Sequence, residues 1–213
     1  AANEGCAMGL AAGYHLATGK IPLVYMQNSG MGNTINPLLS LADDDVYGIP
    51  VLLIIGWRGE PGVHDEPQHV KQGKVTCTLL DAMGIPYEVL PDDEDSCIPV
   101  FDRCFDHLLN NSSPYALVVR KNTFDKYSMS SRDEMSYPMS RERTIEVISS
   151  KMPKDTLFVS TTGMASRELY EIRDRRGQDH SYDFLTVGSM GHSSQIALGL
   201  AMNVPDRTIC CID

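Results

Sequence analysis

Glu4 is the first side chain in the sequence placed to do chemistry. It stands in the run Asn3-Glu4-Gly5, directly ahead of a stretch crowded with small residues: Ala7, Gly9, Ala11, Ala12 and Gly13. A lone glutamate before a helix is commonly a residue favoured by the positive end of the helix dipole. The density of glycine and alanine adds a second implication, that another element approaches this helix closely. After the next apolar run comes a glycine-rich loop, Gln27-Asn28-Ser29-Gly30-Met31-Gly32-Asn33. Such a loop can cradle a phosphate at a helix N-terminus, or bring backbone and amide groups against a flat heterocycle. It lacks the Lys-Ser/Thr ending of a P-loop.

The segment Trp57-Arg58-Gly59-Glu60-Pro61-Gly62-Val63-His64-Asp65-Glu66-Pro67-Gln68-His69 is the most unusual in the chain. It follows a strongly apolar run, and loops at the C-terminal ends of parallel strands are where α/β folds bind ligands. Arg58 offers a planar fork for an anionic group, with Trp57 beside it. His64 and His69 are candidate proton donors. Gln27 and Asn28 are candidates to orient a carboxylate or a cofactor. The plainer reading is a solvated loop with incidental charges. Lys71, Lys74, Arg120 and Lys121 are further basic candidates, each equally readable as surface charge. In the second half, Gly188-Ser189-Met190-Gly191-His192 forms another glycine-bearing loop. There Met190 is open to the reading of ordinary core filling, and His192 to that of a cap on the next helix.

These residues need a frame. Strands are predicted at Ile21–Met26, Pro50–Ile55, Pro86–Leu90 and Tyr115–Val119. The helices between them are predicted at Thr34–Ala42, Glu66–Leu80 and Ile98–Leu109, the last with Ser96 as N-cap. Asn122–Ser140 is polar, rich in Ser and Met and without apolar period, and reads as an interdomain linker. The alternation then restarts: helices at Arg141–Lys151, Ala165–Arg176 and Ser193–Met202, strands at Thr156–Ser160, Phe184–Val187 and Thr208–Ile212. Near-continuous apolar strands alternating with helices imply parallel sheets covered on both faces. The expectation is an α/β protein with two parallel-sheet domains, residues 1–121 and 141–213.

The 213 residues carry 18 Lys and Arg against 28 Asp and Glu, a net charge of −10. That excludes a broad nucleic-acid or anionic-membrane surface, which needs clustered cations, and leaves any anionic substrate to a few local cations. The six cysteines show neither a CxxC pair nor metal-ligand spacing with His. They are expected to be reduced core thiols of a cytoplasmic protein. No leader is recognisable, and no apolar run approaches the ~20 residues of a membrane span. Both ends look cut: the chain opens on a helix and closes on a strand-like run.

The runs NEGCAMGLAAGYHLATGK and PLVYMQNSGMGN resemble the pyrimidine-binding domain of thiamine-diphosphate-dependent 2-oxo-acid decarboxylases, specifically the phosphonopyruvate decarboxylases. The sulfopyruvate decarboxylases, near relatives, have a similar NEG…QNSG pair. The likeness continues through NPLLSLADDDVYGIPVLLIIGWRGEPGVHDEPQH, FVSTTGMASRELYE and DFLTVGSMGHSSQIALGLA. It implies non-oxidative decarboxylation of 3-phosphonopyruvate to phosphonoacetaldehyde through a thiamine diphosphate ylid, in phosphonate biosynthesis, with Mg2+ as second cofactor. By the same resemblance, Glu4 pairs with the cofactor's aminopyrimidine, and burial should raise its pKa to suit proton exchange. Gly188 accepts from that ring, Met190 props the bent cofactor, and Ser189, Gly191 and His192 lie on the cofactor side, His192 toward the diphosphate. On the functional reading of the loop at 57–69, rather than by the resemblance, His64 or His69 would protonate the decarboxylated intermediate and Arg58 would hold the substrate's anion. The metal ligands belong to a GDG motif expected beyond residue 213, so none is named. The resemblance implies a small anionic 2-oxo acid as substrate and a dimer or larger homo-oligomer. The alternatives are sulfopyruvate as substrate, or a cofactor-free subunit that keeps the fold.

Overall fold

A computed structural model describes residue 1, residues 3–128 and residues 137–213. The chain divides into two compact units, Ala1–Ser128 and Met129–Asp213, and each is built on its own parallel sheet, as the sequence pattern implies. The expected linker includes residues 129–136, which lie outside the described residues.

The first unit runs α1 (Glu4–Thr18), β1 (Leu23–Gln27), a 3-10 stretch (Asn28–Thr34), α2 (Ile35–Pro37), a π turn (Leu38–Ala42), β2 (Leu52–Gly56), α3 (Pro67–Ala82), β3 (Tyr87–Val89), α4 (Glu94–Asn110) and β4 (Tyr115–Val119). The strands lie in the order β1-β2-β4-β3, all parallel. β4 is buried along its whole length, because helices cover both sides of the sheet. Successive residues point to opposite faces. Leu53, Ile55, Ala116 and Val118 therefore pack with Met8 of α1 and Leu80 of α3. Leu52, Tyr115, Leu117 and Val119 pack with Val100, Cys104 and Leu108 of α4. The register aligns Gln27 with Gly56 and Gly56 with Val119. Three loops thus leave the sheet side by side at its C-terminal edge.

Two helices differ from expectation. Thr34–Ala42 is a single α turn followed by a π turn: Pro37 has no N–H to give to the Asn33 carbonyl, so regular i→i−4 bonding is broken there. α4 begins at Glu94 and is capped by Asp93, whose side chain accepts from the Ser96 amide at 2.8 Å. Ser96 is inside the helix. A carboxylate at the cap, with Glu94 and Asp95 in the first turn, meets the helix dipole better than a later start at Ser96.

The second unit runs α5 (Arg141–Lys151), β5 (Leu157–Ser160), α6 (Met164–Arg175), β6 (Asp183–Leu185), α7 (Ser193–Asn203) and β7 (Ile209–Ile212), with sheet order β6-β5-β7. Its strands are parallel too. Phe158, Ile145, Leu169 and Ile172 form its core. Arg173, in the last turn of α6, grips Asp183 at the start of β6 with two hydrogen bonds of 3.0 and 2.9 Å.

The cysteines are not the core thiols expected. All six are free, but only Cys104 is buried, and Cys6 and Cys211 are exposed. Cys211 follows Cys210 in a strand whose one face is open, so the alternation of side chains turns it outward. Among the described residues no helix is long and apolar enough to cross a membrane.

Candidate active site

α1 is capped by Asn3, whose side-chain oxygen accepts from the Cys6 amide at 2.9 Å. Glu4 is therefore not the cap; it is the first helical residue, and its carboxylate is left for other use. Asn33 Nδ2 donates to Glu4 Oε2 at 2.8 Å. The side chain lies over Gly30, where a Cβ would overlap the carboxyl group. The glycine-rich loop thus forms the seat of the glutamate. Glu4 is half-buried within this chain. The close approach expected all along α1 is absent at Gly9 and Gly13, whose outward sides meet nothing within 4 Å. They share an exposed face with Cys6, Leu10 and Tyr14.

Asn28 is only 4 % exposed. Its amide nitrogen donates to the Arg58 carbonyl and to Thr76 Oγ1, both at 2.8 Å. Its oxygen accepts from the Arg58 amide at 2.9 Å. Both amide hydrogens are used inside the fold, so Asn28 is a brace between the loops after β1 and β2 and helix α3. Its amide group offers no hydrogen to a cofactor or substrate. The Gln27 side chain, at the exposed end of β1, accepts from Ser29 Oγ at 3.4 Å, the one side-chain hydrogen bond it makes among the described residues.

The fork of Arg58 is turned inward as well. Its Nε and Nη2 donate to Asp65 at 2.8 and 2.6 Å. The same carboxylate accepts from the amides of Gly59 and Glu66, each at 2.8 Å, and from His69 Nδ1 at 3.1 Å. Arg58 first, then these amides and the His69 ring, hold the Asp65 carboxyl far below the usual carboxylate range, against desolvation. The Arg58 guanidinium is pushed further up by the same hydrogen bond. The Nε/Nη2 edge that the sequence offers to a substrate anion is thus engaged by Asp65, and Arg58 acts as a strut of its own loop. Gly59, at φ +67°, is packed so tightly under the His69 carbonyl that a Cβ would overlap it, and a Cβ at Gly73 would strike the Gly59 carbonyl. Only glycine admits this backbone contact. Trp57 closes it by donating from Nε1 to the Gly73 carbonyl at 2.9 Å. Of the two histidines, His69 is inside this network and His64 is exposed.

A cavity of about 580 Å³ opens at this C-terminal sheet edge, with Tyr25, Gln27, Trp57, Arg58, Arg120 and Lys121 in its wall. Arg120 pairs with Glu60 at 3.0 Å. Lys121 has no carboxylate partner among the described residues. Among the described residues it is the cation in this wall without such a pairing.

In the second unit, Gly188–His192 follows β6. Met190 is 64 % exposed, so it does not fill the core of its own unit. Ser189 and Gly191 have φ of +54° and +84°, which turns the loop sharply. His192 occupies the position before α7 but makes no side-chain cap hydrogen bond. Its Nδ1 donates back to the carbonyls of Ser189 and Met190, each at 3.2 Å. The residues overlooked in the sequence are Asp65, Asn33 and Gly73. Asp65 had a signal: it stands four residues before His69, at a helix start marked by Pro67.

Residues 1–83 match the model of the thiamine pyrophosphate enzyme N-terminal TPP binding domain. The chain is 33 % identical, over 99 % of its length and 55 % of the relative's, to phosphonopyruvate decarboxylase of Streptomyces viridochromogenes. It is 34 % identical, over 99 % of its length and 54 % of the relative's, to that of Streptomyces hygroscopicus. A sulfopyruvate decarboxylase of Methanosarcina acetivorans is 28 % identical over 97 % of this chain and 56 % of its own length. The chain thus spans about half the length of the curated relatives it matches. The family resemblance carried by the sequence motifs is borne out by these matches.

Proposed function

We propose that the protein carrying this chain is a thiamine-diphosphate-dependent decarboxylase that converts 3-phosphonopyruvate to phosphonoacetaldehyde and carbon dioxide. The observation that carries this reading is the seat of Glu4: a half-buried carboxylate fixed by Asn33 and lying over Gly30. The match of residues 1–83 to a thiamine-binding model supports it.

The donor set fits that cofactor. A carboxylate with one oxygen already held by an amide suits a ring nitrogen that gains and loses a proton. When bound, thiamine diphosphate supplies a carbon nucleophile and the electron sink for carbon dioxide loss. Glu4 would hold the aminopyrimidine and exchange a proton with it, while Asn33 keeps the carboxylate from swinging away. In the second unit, Gly188 would accept from an aminopyrimidine, and Met190, standing out from its loop, would support a cofactor; by the resemblance that loop serves the cofactor whose pyrimidine is held by Glu4 of a partner copy. Ser189, Gly191 and His192 shape that loop. Gln27 is free to meet the cofactor or the substrate carboxylate. Magnesium, implied by the resemblance, finds no group of three or more His, Cys, Asp or Glu side chains among the described residues, and no step is assigned to it.

The substrate's anion is assigned to the cavity beside Gln27, with Lys121 in place of Arg58 as its cation. One observation favours a second reading. With Arg58 and Arg120 already paired, the wall offers few open cations, and a sulfonate monoanion asks for fewer donors than a phosphonate dianion. Sulfopyruvate is therefore the competing substrate. Self-association would use the exposed α1 face of Gly9, Leu10, Gly13 and Tyr14, whose small and apolar residues suit a second copy. The six free cysteines agree with a cytoplasmic setting.

The test is carbon dioxide release by the complete protein with phosphonopyruvate, sulfopyruvate and pyruvate, with and without thiamine diphosphate. The highest kcat/KM is expected for phosphonopyruvate, and only with the cofactor. Glu4→Gln should lower the rate by about a hundredfold or more, with slower exchange of the cofactor's C2 hydrogen for deuterium by NMR and intact diphosphate binding. Unchanged exchange would remove Glu4 from the mechanism.

A further inference from the structure

The carboxylate of Asp65 collects five donors: two from Arg58, one each from the Gly59 and Glu66 amides, and one from the His69 ring. A carboxylate so surrounded stays ionised and has no hydrogen to donate. The proton between Asp65 and His69 must therefore sit on His69 Nδ1. Two further features hold the ring in place. The His69 side chain is only 13 % exposed, and its backbone is tied down by the Glu66 carbonyl, which accepts from its amide at 2.9 Å. The Gly59 turn then packs beneath the His69 carbonyl. His64, in the same loop, has none of these constraints.

We infer that Asp65 is a positioning residue that fixes His69 as the Nδ1–H tautomer and leaves Nε2 as the nitrogen able to take up and deliver a proton. His69 rather than His64 then serves the proton delivery that completes the proposed decarboxylation. The kinetic consequence rests on that reading; the tautomer does not. Asp65 also explains why Arg58 and His69 lie together without competing for a substrate. Arg58 keeps the carboxylate charged, and the charged carboxylate keeps the imidazole in one state.

The tautomer is read from the ring 15N shifts of histidine-labelled protein held at a pH where the imidazole is neutral. The His69 signals are assigned by their loss in His69→Gln. Wild-type His69 should carry its proton on Nδ1. In Asp65→Asn, whose amide can donate as well as accept, that preference should weaken, and Asp65→Glu should restore it in part. In the holoenzyme, kcat for Asp65→Asn should fall about tenfold to a hundredfold, with KM changed less than twofold. A wild-type His69 protonated on Nε2 would overturn the inference. So would an unaltered tautomer in a folded Asp65→Asn protein. If Asp65→Asn does not fold, the wild-type tautomer alone decides. Absent carbon dioxide release with an Nδ1–H His69 would sink the decarboxylase reading and leave this inference standing.

Discussion

Arg58 and Arg173 each grip an aspartate with both prongs of a guanidinium, at 2.6–3.0 Å, one pair in each unit of the chain. Their surroundings differ. The Arg173 and Asp183 side chains are 11 % and 1 % exposed, and the guanidinium lies 4.9 Å over the ring of Phe158, a core residue. That pair joins the end of α6 to the start of β6, at the opposite edge of the sheet from Gly188–His192. Arg58 is 40 % exposed, and its partner Asp65 also orders a loop at the cavity mouth. A buried pair holds a helix to its sheet. A half-exposed one with extra backbone donors gives shape to a loop that has little apolar material of its own. The same two side chains thus serve stability in one place and geometry in the other, and burial decides which.

The largest effect that tests this contrast is expected at Asp183. Asp183→Asn removes half of a buried pair and should cost about 3–5 kcal/mol in urea unfolding, while KM for the best substrate stays unchanged in the protein that remains folded. A loss below about 1 kcal/mol would show that the pair is not a fastening. At Asp65 the signature is in pH. The folded carboxyl lies far below its unfolded value of about 4, chiefly through Arg58. Its stabilisation is complete above that value and lost as pH falls toward the folded one. The stability difference between wild type and Asp65→Asn should therefore be flat above about pH 5 and shrink below about pH 4. A difference that grew on acidification would contradict the sign. A smaller effect belongs to Arg58→Lys, which keeps the charge and loses the fork, at about 1.5–3 kcal/mol. Because Arg58 braces the loop, activity on phosphonopyruvate, sulfopyruvate and pyruvate should fall by the same factor. Lys121→Gln should instead raise KM about tenfold for the two substrates that carry a second anionic group and spare pyruvate, which has only its carboxylate. A selective loss in Arg58→Lys would return the anion to Arg58.

The sequence discloses the frame of this molecule better than its contacts. β4 and α5 are where the pattern places them, because an unbroken apolar run and a capped amphipathic stretch depend on local chemistry alone. The π turn at Leu38–Ala42 was not legible, since the consequence of Pro37 depends on what packs beside it. At the site, Glu4 and its glycine-rich seat were recognisable as a motif. The pairing of Arg58 was not legible, because a sequence shows a guanidinium but not its partner: Asp65 returns to it through a turn with Gly59 and Gly62 at φ +67° and +85°. Asn28 looked outward-facing for the same reason. Its three hydrogen bonds reach residues 30 and 48 positions away, and spacing along the chain does not foretell them.

Asn28 also limits how this sequence can drift. An aspartate there would set lone pairs against the Arg58 carbonyl and Thr76 Oγ1, which both accept from it. A glutamine would carry the amide one methylene too far into a space already filled. A serine would be too short to replace all three. Each single replacement passes through a form with a buried polar group left without its partner, at roughly 1–3 kcal/mol. Lineages of this protein that lost Asn28 should therefore have rebuilt Thr76 and the Arg58–Gly59 turn together. A mutational scan of positions 28, 58, 59 and 76 would record that history as strong non-additivity among the four.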